Sequence, residues 1–160
     1  MIIQMINDLE LIILIRSSMA FRQLHLAIIK PDPSLAIRII EIGQFTDRLD
    51  IQNDHQQTPL HLAVITDQPH LVRALVVSGA SLMARDKHGN TPLHLACKLA
   101  HAQCVERLTA PPSFEEETYI WNERQSKGLA PQTTNYGRST SGHVSLLNYE
   151  GNVFIVASLC

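Results

Sequence analysis

Short clusters of apolar residues in the middle of this chain fit one face of a helix and are separated by polar turns. One cluster lies within 60–63, the next lies within 71–76, and the polar break 67–69 divides them. Apolar residues at helical spacing predict amphipathic helices. The pattern therefore predicts a pair of short helices, the second over about 70–77, ended by the helix-stop glycine Gly79.

The start of this helical pair is repeated without change further along the chain. The hexapeptide Thr-Pro-Leu-His-Leu-Ala at 58–63 returns 33 residues later at 91–96. A threonine hydroxyl can accept a hydrogen bond from a free N–H in the first turn, and proline at the first helical position loses no hydrogen bond. The histidine is then placed to bond the cap and its neighbouring backbone. The structural cap residues predicted in this way are Thr58, His61, Thr91 and His94.

A unit of one turn and two helices that recurs at this period is typical of an ankyrin array. A weaker first copy contains Leu-His-Leu-Ala at 24–27, but Arg22 and Gln23 stand where the cap threonine and the proline are expected. We therefore expect an uncapped first repeat. Its two helices are separated at 31–33, and Ser34 is placed to cap the second.

The pattern ends after the third repeat. Pro111-Pro112, a run of glutamates at 115–117 and a stretch rich in Ser, Thr, Gly and Asn favour a loop. We predict an all-α ankyrin-repeat solenoid with three repeats, the first uncapped, and an incomplete fourth. The predicted organisation is an apolar N-terminal segment at 1–20, repeats 1–3 at 21–110, a loop or disordered insert at 111–147, and the incomplete repeat at 148–160.

The first fifteen residues are rich in Ile, Leu and Met, and Asp8 and Glu10 interrupt them. A signal peptide has a basic start, which is missing here. A transmembrane helix needs about 20 apolar residues, and this run is shorter. We expect an amphipathic helix that covers the open end of the first repeat. A membrane anchor and an artificial or alternatively spliced first exon remain alternatives.

The net charge of −2 excludes a strong basic field. We therefore expect no nucleic-acid partner and no polybasic membrane contact. The chain has three cysteines, Cys97, Cys104 and Cys160. Their number and spacing do not form a disulfide framework, and scattered thiols suit a reducing compartment. The composition predicts a cytoplasmic protein, with the nucleus as a second location.

A set of two histidines and two cysteines resembles zinc ligands by residue type. The four residues are His94, Cys97, His101 and Cys104. A structural zinc site needs tetrahedral convergence of its ligands, and His94 already belongs to the predicted cap. The sequence has no glycine-rich phosphate loop and no nucleophile that the repeats would bring to a base. We therefore expect no enzyme, no metal, no cofactor and no small-molecule substrate.

The segment at 56–69 strongly resembles the second repeat of the IκB inhibitors, including insect Cactus. It has Gln56 where generic ankyrin repeats have glycine, and it continues with Val-Ile-Thr-x-Gln-Pro. The segments 84–91 and 103–109 look like the turn and second helix of the third repeat in that family. The insert followed by Asn-Tyr-x-Gly at 148–151 matches the family layout.

This resemblance implies a binding module for Rel-homology (NF-κB-type) transcription factors. In the family, the first repeats cover the basic nuclear-localisation segment of the Rel protein, which keeps that factor in the cytoplasm. Such a role implies signal transduction in a Toll-type innate immunity pathway. These 160 residues contain no Asp-Ser-Gly-x-x-Ser degradation motif and no acidic tail rich in Pro, Glu, Ser and Thr. A generic ankyrin scaffold or adaptor with a non-Rel partner is the alternative.

A basic peptide would be attracted by acidic groups beside a groove. Aspartates cluster before the second repeat, two more occupy turns that we expect at the same edge, and three residues at the end of the inner helix could supply apolar contact. The same aspartates are also ordinary turn formers. The predicted partner-binding residues are Asp47, Asp50, Asp54, Val64, Ile65, Thr66, Asp67, Arg85 and Asp86.

Overall fold

The computed structural model describes residues 19–30, 32–43, 47–126 and 128. These residues form seven α-helices and a short 3-10 helix at Asp47–Asp50, and they include no strand. The α-helices are α1 Met19–Ile29, α2 Pro33–Gly43, α3 Pro59–Ile65, α4 Pro69–Val77, α5 Pro92–Lys98, α6 Ala102–Thr109 and α7 Phe114–Ser126.

The first six helices form three stacked pairs, which confirms the predicted all-α ankyrin solenoid. Within each pair, α1 packs on α2, α3 on α4, and α5 on α6. The inner helices α1, α3 and α5 stack in one layer, and the outer helices α2, α4 and α6 stack in a second. The core lies between these layers and includes Leu24, Ile28, Ile39, Leu60, Val64, Leu71, Leu75 and Ala96.

A capping box begins both α3 and α5. The hydroxyl of Thr58 accepts from the backbone N–H of His61 at 3.4 Å, and His61 Nδ1 accepts from the backbone N–H of Thr58 at 3.1 Å. Thr91 and His94 form the same pair of bonds at 3.4 and 3.2 Å. All four residues are buried, so these bonds satisfy donors that water cannot reach.

The cap also determines how one repeat is joined to the next. Because Nδ1 of His61 accepts a hydrogen bond, the ring proton lies on Nε2, which donates to the carbonyl of Asn90 at 3.0 Å. His25 makes the corresponding bond to the carbonyl of Gln57 at 3.2 Å, although its own helix lacks the threonine cap. The inner helices α1 and α3 are therefore each tied through this histidine to the turn that opens the following helical pair.

A second set of bonds joins the repeats at the opposite ends of the inner helices. Gln68 Nε2 donates to the carbonyl of Ile28 at 2.7 Å. His101 Nδ1 donates to the carbonyl of Val64 at 2.8 Å in the next interface. These carbonyls belong to the last turn of an inner helix, where intrahelical partners run out. Each repeat interface is thus held by polar bonds at both ends.

The boundaries of the first repeat differ slightly from the prediction. Helix α1 begins at Met19, four residues before Gln23, which stands at the first helical position of the repeat pattern. Helix α2 begins at Pro33, and the carboxylate of Asp32 accepts from the N–H of Leu35 at 3.2 Å. The prediction of Ser34 as the cap is therefore wrong, because Pro33 occupies the first helical position and moves the cap to Asp32.

Helix α7 lies where the sequence predicted a loop, so the predicted loop is wrong over Phe114–Ser126. The helix begins with a capping box, in which Ser113 Oγ accepts from the N–H of Glu116 at 3.3 Å and Glu116 Oε2 accepts from the N–H of Ser113 at 2.8 Å. Three glutamates in the first turn stabilise the helix, because their negative charges interact favourably with the positive end of the helix dipole. Residues 1–18 of the predicted N-terminal segment at 1–20, residues 129–147 of the predicted insert at 111–147, and the predicted incomplete repeat at 148–160 lie outside the described residues.

Arg73 fastens the start of α7 to the repeats. Its Nε and Nη2 donate to the two carboxylate oxygens of Glu116, with 2.9 Å for Nε. Its Nη1 donates to the carbonyl of Ala110 at 2.9 Å, and Nη2 also reaches the carbonyl of Pro111 at 3.0 Å. The hydrogen bonding of Arg73 to the carboxylate is the main reason that the pKa of Glu116 lies below its ordinary value, and the bonds with Ser113 lower this pKa further. One guanidinium thus joins α4, the end of the third repeat and α7.

None of the helices in the described ranges is both long enough and apolar enough to cross a membrane. The apolar N-terminal segment lies before these ranges, so its predicted role stays a prediction.

Replacing Arg73 by methionine should lower the free energy of unfolding by about 1–3 kcal/mol, because the variant leaves a half-buried carboxylate and the carbonyls of Arg107, Ala110 and Pro111 without this donor. Urea denaturation followed by circular dichroism measures this loss. The matched control is Arg107→Met on the exposed side of α6. Equal stability of the two variants would contradict the role given to Arg73.

Burial lowers the pKa of His61 below its ordinary value of 6.5. Below pH 6.5 the unfolded chain therefore binds a proton at this histidine more readily than the folded chain does. As the pH falls, this difference lowers the free energy of unfolding by at most about 1.4 kcal/mol per pH unit. We expect His61→Gln to be less stable at neutral pH and to lose less stability on acidification. The exposed control His88→Gln should keep the wild-type slope. Identical slopes in His61→Gln and wild type would refute this assignment.

Candidate partner-binding surface

The inner face of the first repeat exposes apolar side chains. We use "inner face" for the exposed residues of the inner helices together with the turns 51–57 and 84–91 that precede α3 and α5. On α1, Leu26 is 53% exposed and Ile29 is 54% exposed. The corresponding leucines of the next two repeats, Leu62 and Leu95, are only 6% and 8% exposed. At this leucine position the first repeat therefore exposes more apolar surface than the second and third repeats.

A groove of about 670 Å³ lies between α1 and the turn that precedes α3. Its apolar walls come from Leu26 and Ile51, and charged groups lie at Arg22 and Asp54. The remaining lining residues are His25, Gln52 and Asn53. Such a groove can hold a peptide segment that carries both apolar and charged side chains.

Asn53 builds the turn at one wall of this groove. Its side-chain oxygen accepts from the N–H groups of His55 and Gln57, each at 2.9 Å. Gln56 has a φ of +58°, a left-handed conformation that favours glycine. The glutamine that distinguishes this repeat from generic ones thus occupies a position of backbone strain beside the groove.

Asp86 builds the equivalent turn one repeat later. Its Oδ1 accepts from the N–H of His88 at 2.8 Å and from the N–H of Asn90 at 2.9 Å. Arg85 donates to the carbonyl of Gly89 at 3.0 Å across the same turn. Asp86 is only 3% exposed. Its carboxylate therefore holds the turn, and the predicted contact with a partner is not open to it.

The two turns are joined into one continuous edge. The N–H of Lys87 donates to the carbonyl of His55 at 3.1 Å, and Gln52 Nε2 donates to the carbonyl of Arg85 at 3.0 Å. Asp50 lies behind this edge and accepts from the N–H of Ser81 at 2.8 Å. These bonds fix the relative positions of the turns, so a partner would meet a preformed surface.

The predicted acidic cluster is smaller than the sequence suggested. Asp50 and Asp86 accept backbone hydrogen bonds within the array, whereas Asp54 is exposed in the groove. The side chain of Asp47 lies outside the described residues. Asp54 is therefore the carboxylate of this cluster that the structure places on the inner face.

The three residues predicted to contact a partner at the end of α3 differ in exposure. Val64 is fully buried in the core, so the prediction that it contacts a partner is wrong. Ile65 is half-buried and Thr66 is exposed, with its hydroxyl donating to the carbonyl of Leu62 at 2.8 Å. Because Val64 points between the two helix layers, only its neighbours reach the surface.

Asp67 lies at the opposite end of the inner helices from Asp86, which corrects the prediction that both face one edge. Asp67 follows the C-terminus of α3, whereas Asp86 precedes the N-terminus of α5. Stacked inner helices run in parallel, as the bonds of His61 to Asn90 and of His101 to Val64 require. The two carboxylates therefore lie at different ends of the array.

Potential metal ligands come together near the C-terminal end of α3, but they are not the four residues His94, Cys97, His101 and Cys104 considered in the sequence. Within the described ranges, Asp67, His101 and Cys104 place ligand atoms within 4.8 Å of one another. His101 Nδ1 already donates to Val64, and Cys104 Sγ donates to Asp67 at 3.5 Å. Burial raises the pKa of the Cys104 thiol to about 12. These contacts hold the repeat interface with a protonated thiol.

The exposed apolar face of α1 was not predicted from the sequence. The signal was present, because Leu24 and Ile28 already fill the core-facing positions while Leu26 and Ile29 add two apolar residues outside them. A helix with more apolar residues than one face can bury points to a contact surface. The equivalent leucines of the Leu-His-Leu-Ala motif in the second and third repeats, Leu62 and Leu95, are buried.

The structural comparisons agree with this architecture. The family model for ankyrin repeats, in three copies, matches residues 24–116. The crystal structure of the ankyrin-repeat domain of Bcl-3, described as a unique member of the IκB protein family, aligns with 81% of this chain and 46% of that chain. The TM-score is 0.56 and the sequence identity is 35%.

The sequence comparisons point to the same group of proteins. NF-kappa-B inhibitor alpha of Sus scrofa is 39% identical over 138 residues, which is 85% of this chain and 41% of the relative. B-cell lymphoma 3 protein of Homo sapiens is 46% identical over 98 residues, or 59% of this chain and 22% of the relative. The chain thus spans less than half of the length of these curated relatives.

Replacing Asp86 by alanine should lower the free energy of unfolding by about 1–3 kcal/mol, because the buried N–H of Asn90 and the partly buried N–H of His88 lose their acceptor. Asp54→Ala should change stability by less than about 0.5 kcal/mol, since that side chain is exposed. Thermal and urea denaturation of both variants measure the difference. A larger loss in Asp54→Ala than in Asp86→Ala would reverse the assignment of the two aspartates.

Proposed function

Since this chain belongs to the ankyrin-repeat family and its homologues are IκB proteins, we propose that it is a protein-binding module of the Rel/NF-κB inhibitor type. We propose further that it covers the basic nuclear-localisation segment of a Rel factor and retains that factor in the cytoplasm. The observation that carries the proposal is the 39% identity to NF-kappa-B inhibitor alpha over 138 residues, which includes the repeats that form the groove.

The geometry of the first repeat supports a peptide-like segment as the bound element. Leu26 and Ile29 offer apolar contact on α1, and Asp54 offers a carboxylate across the groove. Burying an apolar anchor supplies affinity, whereas an exposed carboxylate chiefly increases the association rate and the selectivity for a basic partner. A segment with apolar residues next to lysine or arginine fits both features.

Masking follows directly from such binding. A nuclear-localisation segment works only while an import receptor can reach its basic side chains, so a segment seated in the groove is withheld from import. The rigid edge formed by the two turns limits the conformational entropy lost on binding. This activity would connect the chain to Rel-dependent signalling, of which Toll-type innate immunity is an example.

The proposal is tested by titrating a fluorescent peptide that carries a Rel nuclear-localisation segment with its apolar flank. We expect saturable binding that weakens with salt. Leu26→Asp should weaken it by roughly tenfold or more, since a charge would replace an apolar contact. Asp54→Asn should weaken it by roughly two- to fivefold and mainly slow association.

The matched control for Leu26→Asp is Ile37→Asp, which places the same charge on the outer helix α2 at a side chain that is 38% exposed. Circular dichroism checks that both variants fold. Absence of binding at micromolar peptide, or equal effects of the two substitutions, would overturn the proposal. Capture of a different protein through the same inner-face residues would instead support the alternative function of a generic ankyrin adaptor.

A further inference from the structure

Helix α7 carries an exposed aromatic surface that the inner face does not include. Phe114 is 83% exposed and Trp121 is 52% exposed. The two side chains are seven residues apart, which is about two helical turns or roughly 10 Å along one side of the helix. We call this surface the aromatic face, and it consists of Phe114, Glu117, Thr118 and Trp121. Large aromatic side chains exposed in this way are characteristic of binding surfaces.

Acidic groups accompany these rings. Glu117 lies on the aromatic face and Glu115 lies beside it, and both are exposed. The hydroxyl of Thr118 donates to the carbonyl of Phe114 at 2.8 Å, so its polar group is used within the helix. The chemistry that this face offers to a partner is therefore π-electron density and negative charge.

The helix is held in place on its other side. Ile120 is only 4% exposed, and Glu116 receives two hydrogen bonds from Arg73 on α4. The capping box at Ser113 fixes the first turn. Because the side opposite the aromatic face is anchored, the exposed rings are presented on a positioned helix and lose little entropy on binding.

We propose that the aromatic face of α7 is a docking surface for an arginine-rich protein segment. A guanidinium can lie over the Trp121 ring while its donors reach Glu117 one turn earlier, which combines cation–π attraction with an ion pair, and Glu115 adds negative charge beside the face. Two other occupants fit poorly. A second copy of the helix would bring the two sets of glutamates together, and an anionic membrane or nucleic acid would be repelled by them.

The single tryptophan of the chain makes this face directly observable. A short synthetic peptide of alternating arginine and serine, added to the full chain, should change Trp121 fluorescence saturably and less strongly at high salt. The lysine–serine peptide should bind more weakly, because lysine lacks the planar group that stacks on the ring. The glutamate–serine peptide should leave the fluorescence unchanged.

The double variant Glu115→Gln/Glu117→Gln should weaken binding of the arginine peptide by roughly two- to tenfold, because it removes two exposed carboxylates that attract the peptide. Phe114→Ala should also weaken it while keeping the reporter. The control Glu106→Gln removes an exposed carboxylate from α6 and should have no effect. Circular dichroism of each variant verifies that the helical content is preserved.

The proposal is overturned if the arginine peptide causes no saturable change, if the lysine peptide binds equally well, or if Glu106→Gln matches the double variant. Leu26→Asp on the inner face should leave this binding intact. That variant separates the present proposal from the proposed function, since each surface then fails or succeeds by itself.

Discussion

The architecture depends on a buried relay that begins with a threonine and ends in the next repeat. The hydroxyl and the N–H of Thr58 both lie within hydrogen-bond distance of Nδ1 of His61 and fix its imidazole, and the fixed ring then donates from Nε2 to the carbonyl of Asn90. A single repeat cannot bury its own apolar side, so stability requires neighbours in register. The relay supplies that register, because its last bond forms only when the next turn is correctly placed.

Much of this arrangement could be predicted from the sequence, because the hexapeptide specifies local chemistry. Proline, threonine and histidine at fixed spacing act on backbone groups within one turn of helix, and the repeats followed from them. Helix α7 could also have been predicted, since Ser113 and Glu116 have the spacing of a capping box. Its proline-rich and glutamate-rich surroundings hid that signal.

The candidate site was harder to predict, because it depends on which turn groups the array itself uses. Asp50 and Asp86 look identical to Asp54 in the sequence, but the first two accept hydrogen bonds from backbone N–H groups within the array. The bond from Ser81 to Asp50 joins residues 31 positions apart, so no local pattern reveals it, whereas Asp86 accepts from N–H groups of its own turn, two and four residues later. The exposure of Leu26 is likewise invisible in the sequence, because the equivalent leucines of the same motif, Leu62 and Leu95, are buried. A partner can contact only the side chains that are not already used in bonds and packing within the array.

The central claim is that a Rel factor is bound by the inner face of the first two repeats. Hydrogen–deuterium exchange, measured on the chain alone and with a Rel-homology protein that carries its basic segment, tests it most directly. The account predicts slower exchange in α1 and in the turn at 51–57, with little change in the outer helix α2. Protection confined to the outer helices, or no protection in any of these elements, would contradict it.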